Sequence, residues 1–152
     1  MKIRPARDED YAEVARLRRH TIRNVNSKDY SEEAIRNWSA KGSAQNFRES
    51  AATCKRWIAL DKDKIIGFCE HNFQCEVSRI YVHKNYLRSG VGSRLLKVAE
   101  ASLERQGCKE IRIESTITAK AFYVAKGYTI IAKAFYKENK NEPIYKMLRK
   151  LG

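Results

Sequence analysis

Residues Ile80 to Leu96 read IYVHKNYLRSGVGSRLL, and the change of character along this stretch decides the fold. It begins as an alternating strand, Ser78 to His83, built of β-branched and aromatic residues. A polar turn holding Gly90 and Gly92 follows. The stretch leaves as a helix, with Leu95, Val98, Ala99, Ser102 and Leu103 recurring at the 3.6-residue period. Strand, glycine turn and helix start together make an anion site. Glycine lets the backbone come close to a ligand. The first turn of a helix offers N–H groups with no partner and the positive end of its dipole. The natural guest is a phosphate or pyrophosphate.

Three phosphate loops compete for this pattern. A Walker-type loop needs Gly-Lys-Ser/Thr, whereas Gly92 is followed by Ser93 and Arg94. The dinucleotide fingerprint G-x-G-x-x-G would place its third glycine at Leu95. Glu114, at the end of the next strand, stands about where a ribose-binding acid would, which keeps a nucleotide reading open. The third candidate is carried by Tyr-Val-His-Lys-Asn-Tyr (81–86) and Gly-Val-Gly-Ser-Arg-Leu-Leu (90–96). These resemble the acetyl-coenzyme A loop of the GNAT family of N-acetyltransferases, Gln/Arg-x-x-Gly-x-Gly/Ala after a strand and opening a helix. The Gln/Arg position falls on Leu87, and Arg88 comes one residue late.

A second stretch, Ala119 to Tyr128, extends the resemblance. GNAT enzymes carry Asn-x-x-Ala-x-x-x-Tyr and then Gly-Phe/Tyr. Ala119, Tyr123, Gly127 and Tyr128 stand at those spacings, with Thr116 in place of the asparagine. The resemblance implies a GNAT acyl-CoA N-acyltransferase fold of the α/β (α+β) kind. That fold is a mixed, mostly antiparallel sheet of about seven strands flanked by about four helices. It implies that the pantetheine arm lies along the fourth strand, at Ile80 and Val82. It implies too that Leu87, Arg88, Ser89, Gly90, Val91, Gly92 and Ser93 ring the pyrophosphate, and that Thr116 joins the coenzyme site. Tyr123 is then the general acid for the departing thiolate, since a phenol stays protonated at neutral pH. Glu76 is the candidate general base, with Glu70 as its rival and a water relay as a third route. Tyr30 and Trp38 are placed where they could line the acceptor pocket.

Composition sets the remaining bounds. The 152 residues suit one domain, 1–152, with a real core. The 31 basic and 18 acidic residues leave a formal charge of +13, which suits anionic partners. The aromatics form no stacking platform among the basic residues, and no helix-turn-helix or zinc pattern is present, which argues against nucleic acid. The four cysteines, Cys54, Cys69, Cys75 and Cys108, form no C-x-x-C pair, and no histidine pair has metal-ligand spacing. They read as reduced and buried. Neither Cys69 nor Cys75 carries the base signature that an acetyl-cysteine route would need. The start, MKIRPARDED, has no apolar core, and no apolar run reaches membrane-spanning length, so the expected compartment is the cytoplasm.

In chain order, Lys2 to Ala6 reads as a strand and Asp8 as the N-cap of a helix over Glu9 to Arg23. Tyr11, Val14, Ala15, Leu17 and Ile22 form its apolar face, and Arg16, Arg18, Arg19 and Arg23 its solvated face. Ser31 caps a second helix, with Glu32 and Glu33 favoured by its dipole. Lys41 to Lys55 has no clear period. Arg56 to Leu60 and Ile65 to His71 form a hairpin, with Gly67 marking a bulge or close approach. Glu76 to Val82 is the strand into the glycine loop. Gly107 stops the loop helix. Glu110 to Ser115 is a strand, Ala119 to Lys126 a helix, and Tyr128 to Tyr136 with Pro143 to Leu148 a last hairpin across Lys137 to Glu142.

The reading is therefore an acyltransferase enzyme, moving acetyl from acetyl-CoA directly to an amine of a small molecule or protein, with no metal and no membrane. Dimers are frequent in the resembled family, so a homodimer is admitted. The alternative is a non-catalytic basic module that binds coenzyme A or nucleic acid.

Overall fold

The fold is described from a computed structural model covering residues 1–136 and 139–152. Seven strands form one sheet in the order β1-β2-β3-β4-β5-β7-β6. They are β1 (Lys2–Pro5), β2 (Cys54–Asp61), β3 (Lys64–Asn72), β4 (Glu76–Val82), β5 (Glu110–Ser115), β6 (Thr129–Tyr136) and β7 (Asn139–Lys150). The helices are α1 (Tyr11–Asn24), α2 (Glu32–Ser39), α3 (Ala44–Glu49), α4 (Val91–Arg105) and α5 (Lys120–Ala125). Every strand pair is antiparallel except β4 and β5, which α4 connects as a crossover. The last connection, read at Lys137 to Glu142, includes residues 137 and 138, which lie outside the described residues; β7 begins at Asn139, before Pro143.

Alternation along the strands divides the core into two layers. Ile58, Ile65 and Phe68 face Tyr11, Val14 and Leu17 of α1 and Phe47 of α3. Ala59, Ile66, Cys69, Val77, Ile111 and Ile113 face Leu95, Leu96, Ala99 and Leu103 of α4. The loop helix thus packs on one face of the sheet and the N-terminal helices on the other. Val98, read from the period as part of the buried face, is only half-buried.

Gly67 explains how α4 reaches its position. The β2–β3 register shifts between Ala59 and Leu60, which leaves Ile66 as the extra residue of a bulge. A Cβ on Gly67 would lie 2.8 Å from both Leu95 Cδ1 and Val91 Cγ1. The first turns of α4 therefore rest on bare strand backbone. Gly67→Val is expected to lower the unfolding free energy by about 1–3 kcal/mol, the usual range for overpacking a close-packed core. A thermal melt of the variant checks this.

Three local readings are corrected. The carboxylate at the start of α1 is Asp10, which accepts from the Arg7 amide at 2.7 Å and pairs with Arg4 at 2.8 Å. Asp8 points to solvent and pairs with Arg48. Arg18 is not solvated: its Nη1 donates to the carbonyls of Trp38 and Lys41 at 2.8 and 2.5 Å, tying α1 to the end of α2. The cysteines are not all reduced. Cys75 and Cys108 form a disulfide with Cα atoms 5.8 Å apart, and Cys54 is only half-buried. Their pairing joins residues 33 apart and so could not be read from spacing.

The unread segment 41–55 folds because Arg56 organises it. Its guanidinium is buried and donates to Phe47 O at 2.6 Å and Ser50 Oγ at 2.7 Å, drawing the end of α3 onto β2. Ser43 caps α3 by accepting from the Asn46 amide.

Candidate active site

The site begins where β4 and β5 part. They pair only at Glu76 with Arg112 and Val77 with Ile113. Beyond that point β4 continues to Val82 with no paired strand on its β5 side among the described residues. The β3–β4 register shifts at Glu70/His71, which makes Ser78 the extra residue of a bulge. The bulge resets the alternation. Ile80 and Val82 pack towards the α4 layer with Val77. Tyr81 packs towards the α1 layer. The result is a wedge between two parallel strands, with free backbone along one wall.

The glycine loop closes the wide end of this wedge. Gly90 holds φ +90° and ψ 0° at the start of α4. Nothing lies within 4 Å of where its Cβ would be, so the requirement there is conformational. Arg94 is the first residue of the helix whose amide finds a partner, the Gly90 carbonyl at 3.1 Å. The amides of Arg88, Ser89, Gly90, Val91, Gly92 and Ser93 donate to no acceptor among the described residues. Gly90 to Ser93 are the unpaired amides of the helix N-terminus, where the dipole is positive and an anion is favoured, and Arg88 and Ser89 lie in the turn before it. Leu87 is 46% exposed at its rim.

Neighbouring elements hold the loop in place. Thr21 Oγ1 of α1 donates to Val82 O at 3.4 Å, and the Lys84 amide donates to His20 Nε2 at 3.2 Å. His20 stacks on His83 with ring centroids 3.9 Å apart. Tyr86 donates to Asp61 Oδ2 at 2.5 Å, and Ser89 to Tyr86 O. From α5, Phe122 reaches within 3.5 Å of the Cβ position of Gly92.

Tyr123 lies in the same layer as α4, 6% exposed. Its ring meets those of Phe122 and Tyr128. The hydroxyl makes no hydrogen bond among the described residues. Burial pushes its pKa well above the ordinary phenol value, with Cys69 and Tyr81 adding to the shift. It stays protonated across the physiological range. Thr116 Oγ1 accepts from the Ala119 amide at 3.2 Å.

The two candidate bases differ sharply. Burial and then Glu114 raise the pKa of Glu76, against a hydrogen bond from Asn72 at 2.8 Å. Glu76 sits at the closed end of the wedge, four residues before Ile80, or about 13 Å at the strand rise. Glu70, the rival base, is a buried carboxylate set between two arginines. Burial acts to raise its pKa, but Ser78, Arg56 and Arg79 together outweigh it and hold it below the usual value. Its oxygens accept from Arg56 Nε at 2.8 Å and Ser78 Oγ at 2.6 Å, and pair with Arg79 at 3.3 Å.

Tyr30 is buried beside Trp38, ring centroids 4.6 Å apart. Its hydroxyl accepts from the Ile117 amide at 2.7 Å and donates to Pro143 O at 3.3 Å. Burial raises its pKa to about 12. Tyr30 therefore pins the segment before α2 across the wide end of the wedge, and Trp38 is the half-buried member of the pair. The residues that sequence reasoning passed over are Ser78 and Arg79. The only signal for Ser78 and Arg79 was two polar residues inside an alternating strand.

Solved structures share this fold. The chain aligns over 99% of its length, at TM-score 0.92 and 23% identity, with a GCN5-related N-acetyltransferase described as a class-II aminotransferase from Rhodopseudomonas palustris, covering 95% of that chain. It aligns over 99%, at TM-score 0.79 and 22% identity, with the PaiA N-acetyltransferase of Thermoplasma acidophilum in complex with coenzyme A, covering 98% of that chain. A ribosomal-protein-alanine N-acetyltransferase from Brucella melitensis aligns at TM-score 0.71 and 14% identity, over 99% of this chain and all of the other. No curated protein matches the chain. The family model described as the acetyltransferase (GNAT) domain matches residues 26–144, so the chain belongs to the GNAT acetyltransferase family, enzymes of acetyl transfer to an amine.

Proposed function

We propose that acetyl passes from acetyl-coenzyme A straight to the amine, within the wedge between β4 and β5. The observation that carries this reading is the run of six free amides, Arg88 to Ser93, at the wide end of strands that part after Val77. Acetyl-coenzyme A supplies the activated thioester; positioning and proton movements fall to the chain. The amides of Arg88, Ser89, Gly90, Val91, Gly92 and Ser93, with Leu87 at the rim, would hold the pyrophosphate. The free backbone at Ile80 and Val82 would hold the pantetheine arm as an added strand, and Thr116 would donate to it. Fixing both reactants in one cleft can remove several kcal/mol of barrier.

Tyr123 is assigned the general acid, because its hydroxyl is protonated and uncommitted. Glu76 is the better base of the two carboxylates, since its raised pKa lies closer to working pH. Its place at the closed end supports proton transfer through water. Tyr30 and Trp38 close the acceptor side.

Tyr123→Phe is expected to lower kcat by about 10²-fold while the Kd for acetyl-coenzyme A stays within about twofold, the loss typical of a missing general acid. Steady-state kinetics with calorimetry checks both. An unchanged kcat would reduce Tyr123 to packing. No described helix is long and apolar enough to cross a membrane. A cytoplasmic home suits a consumer of acetyl-coenzyme A, and the Cys75–Cys108 bond must then persist among reducing thiols. A homodimer would find its contact at the edge strand β6, where Ile130, Ile131 and Phe135 are exposed.

A further inference from the structure

The coenzyme assignment uses the free backbone edge of β4, whose α4 face is filled by packed core, and leaves its α1 face to the acceptor. Ile80 and Val82 turn to the α4 layer, so an amine must come from the α1 layer, where Arg79 and Tyr81 point. Arg79 lies over the Phe47 ring at 5.5 Å, with its side chain 40% exposed. Its Nε pairs with Glu70 Oε2 at 3.3 Å, and its Nη1 donates to the Tyr81 hydroxyl at 3.3 Å. Its Nη2 has no partner among the described residues. Glu70 is shared: its other oxygen accepts from buried Arg56. Two guanidinium groups against one carboxylate leave a surplus positive charge, and Arg79 is the member that solvent reaches. Of the carboxylates near Tyr30, Asp29 and Glu142 each accept a hydrogen bond from the chain. Asp29 accepts from Thr118 at 2.7 Å, and Glu142 from the Ser31 amide at 3.2 Å.

We infer that Arg79 is a specificity residue that receives an anionic group of the acceptor, so that the substrate class is amines bearing a carboxylate or phosphate. The inference rests on the acetyl-transfer reading above. With Nε on Glu70 and Nη1 on Tyr81, Nη2 is the nitrogen left to donate to an oxygen of either anion, a hydrogen bond that the positive charge strengthens. The same surplus charge repels polycations.

The test is acetylation of matched pairs: an α-amino acid against its carboxamide, and O-phosphoethanolamine against ethanolamine, with spermidine as the polycation. The expected result is a kcat/KM at least tenfold higher for the anionic member of one pair, and which pair responds separates carboxylate from phosphate. In Arg79→Gln the KM for that acceptor rises at least tenfold, discrimination within the pair collapses, and the KM for acetyl-coenzyme A stays within twofold. Arg79→Lys restores part of the discrimination, which a merely structural role would not do. Equal or better use of the neutral amines or spermidine overturns the inference, as does discrimination that survives in Arg79→Gln. Acetyl-coenzyme A binding with no anionic amine acetylated also overturns it while leaving the transferase reading intact. Failure to bind acetyl-coenzyme A would instead sink that reading.

Discussion

Gly90→Glu is expected to abolish acetyl-coenzyme A binding, with calorimetry showing at least a 100-fold loss of affinity and a fold that still melts cooperatively. Two effects add. Gly90 holds φ +90°, a conformation that a residue with a Cβ adopts only at a cost of about 1–2 kcal/mol. That cost pushes the backbone towards another conformation and so reorients the neighbouring amides. The carboxylate then stands at the mouth of the cradle, in the place meant for a diphosphate. Two like charges about 4 Å apart repel by about 4 kcal/mol near a protein surface, and a loss of about 2.7 kcal/mol already means 100-fold. Nothing lies within 4 Å of the Cβ position, so the new side chain displaces no core residue. Gly90→Ala separates the two effects: it keeps the conformational cost without the charge and should lose about tenfold. Undiminished binding in Gly90→Glu would move the coenzyme away from this loop.

The glycine loop was legible because its chemistry is local. One strand, one turn and one helix start lie within consecutive residues, so period and glycine spacing describe them together. The sheet was legible for a similar reason: β2, β3 and β4 are neighbours in sequence as well as in space. What escaped was set by partners far along the chain. Arg56 looked like a strand residue, yet it organises α3 through Phe47 and Ser50. Arg18 sat on a periodic polar face, yet it caps the carbonyls at the end of α2. Cys75 and Cys108 each looked like small apolar residues, and only the return of α4 brings them together. The bulge at Ser78 is invisible to alternation because it is a break in alternation. After that break Ile80 and Val82 pack towards the α4 layer and Tyr81 towards the α1 layer.

Glu70→Ala should be the most destabilising single change in the sheet, costing about 3–5 kcal/mol in a denaturant melt. Arg56 is 7% exposed, and Glu70 is the carboxylate that neutralises it. Removing that carboxylate leaves a buried guanidinium without its counter-charge, and breaking such a pair from one side costs that much. Against a total stability of about 5–15 kcal/mol, the variant would stand near the edge of folding. Arg56→Met combined with Glu70→Leu should recover much of the loss, since no charge is then stranded. The pH dependence follows from the depressed carboxyl pKa of Glu70. In the unfolded chain the group titrates near pH 4.3, and in the fold it titrates lower. Its contribution is therefore fully present above about pH 4.3 and is lost as pH falls through the folded value. Asp10, held low because Arg4 and Arg7 outweigh its burial, behaves in the same way. The stability gap between wild type and Glu70→Ala should hold from neutral pH down to about 4.3 and close below it. Protonating Glu70 in the wild type strands Arg56 just as the substitution does. A gap that stayed constant into strong acid would mean that Glu70 supports the sheet through packing and not through its charge.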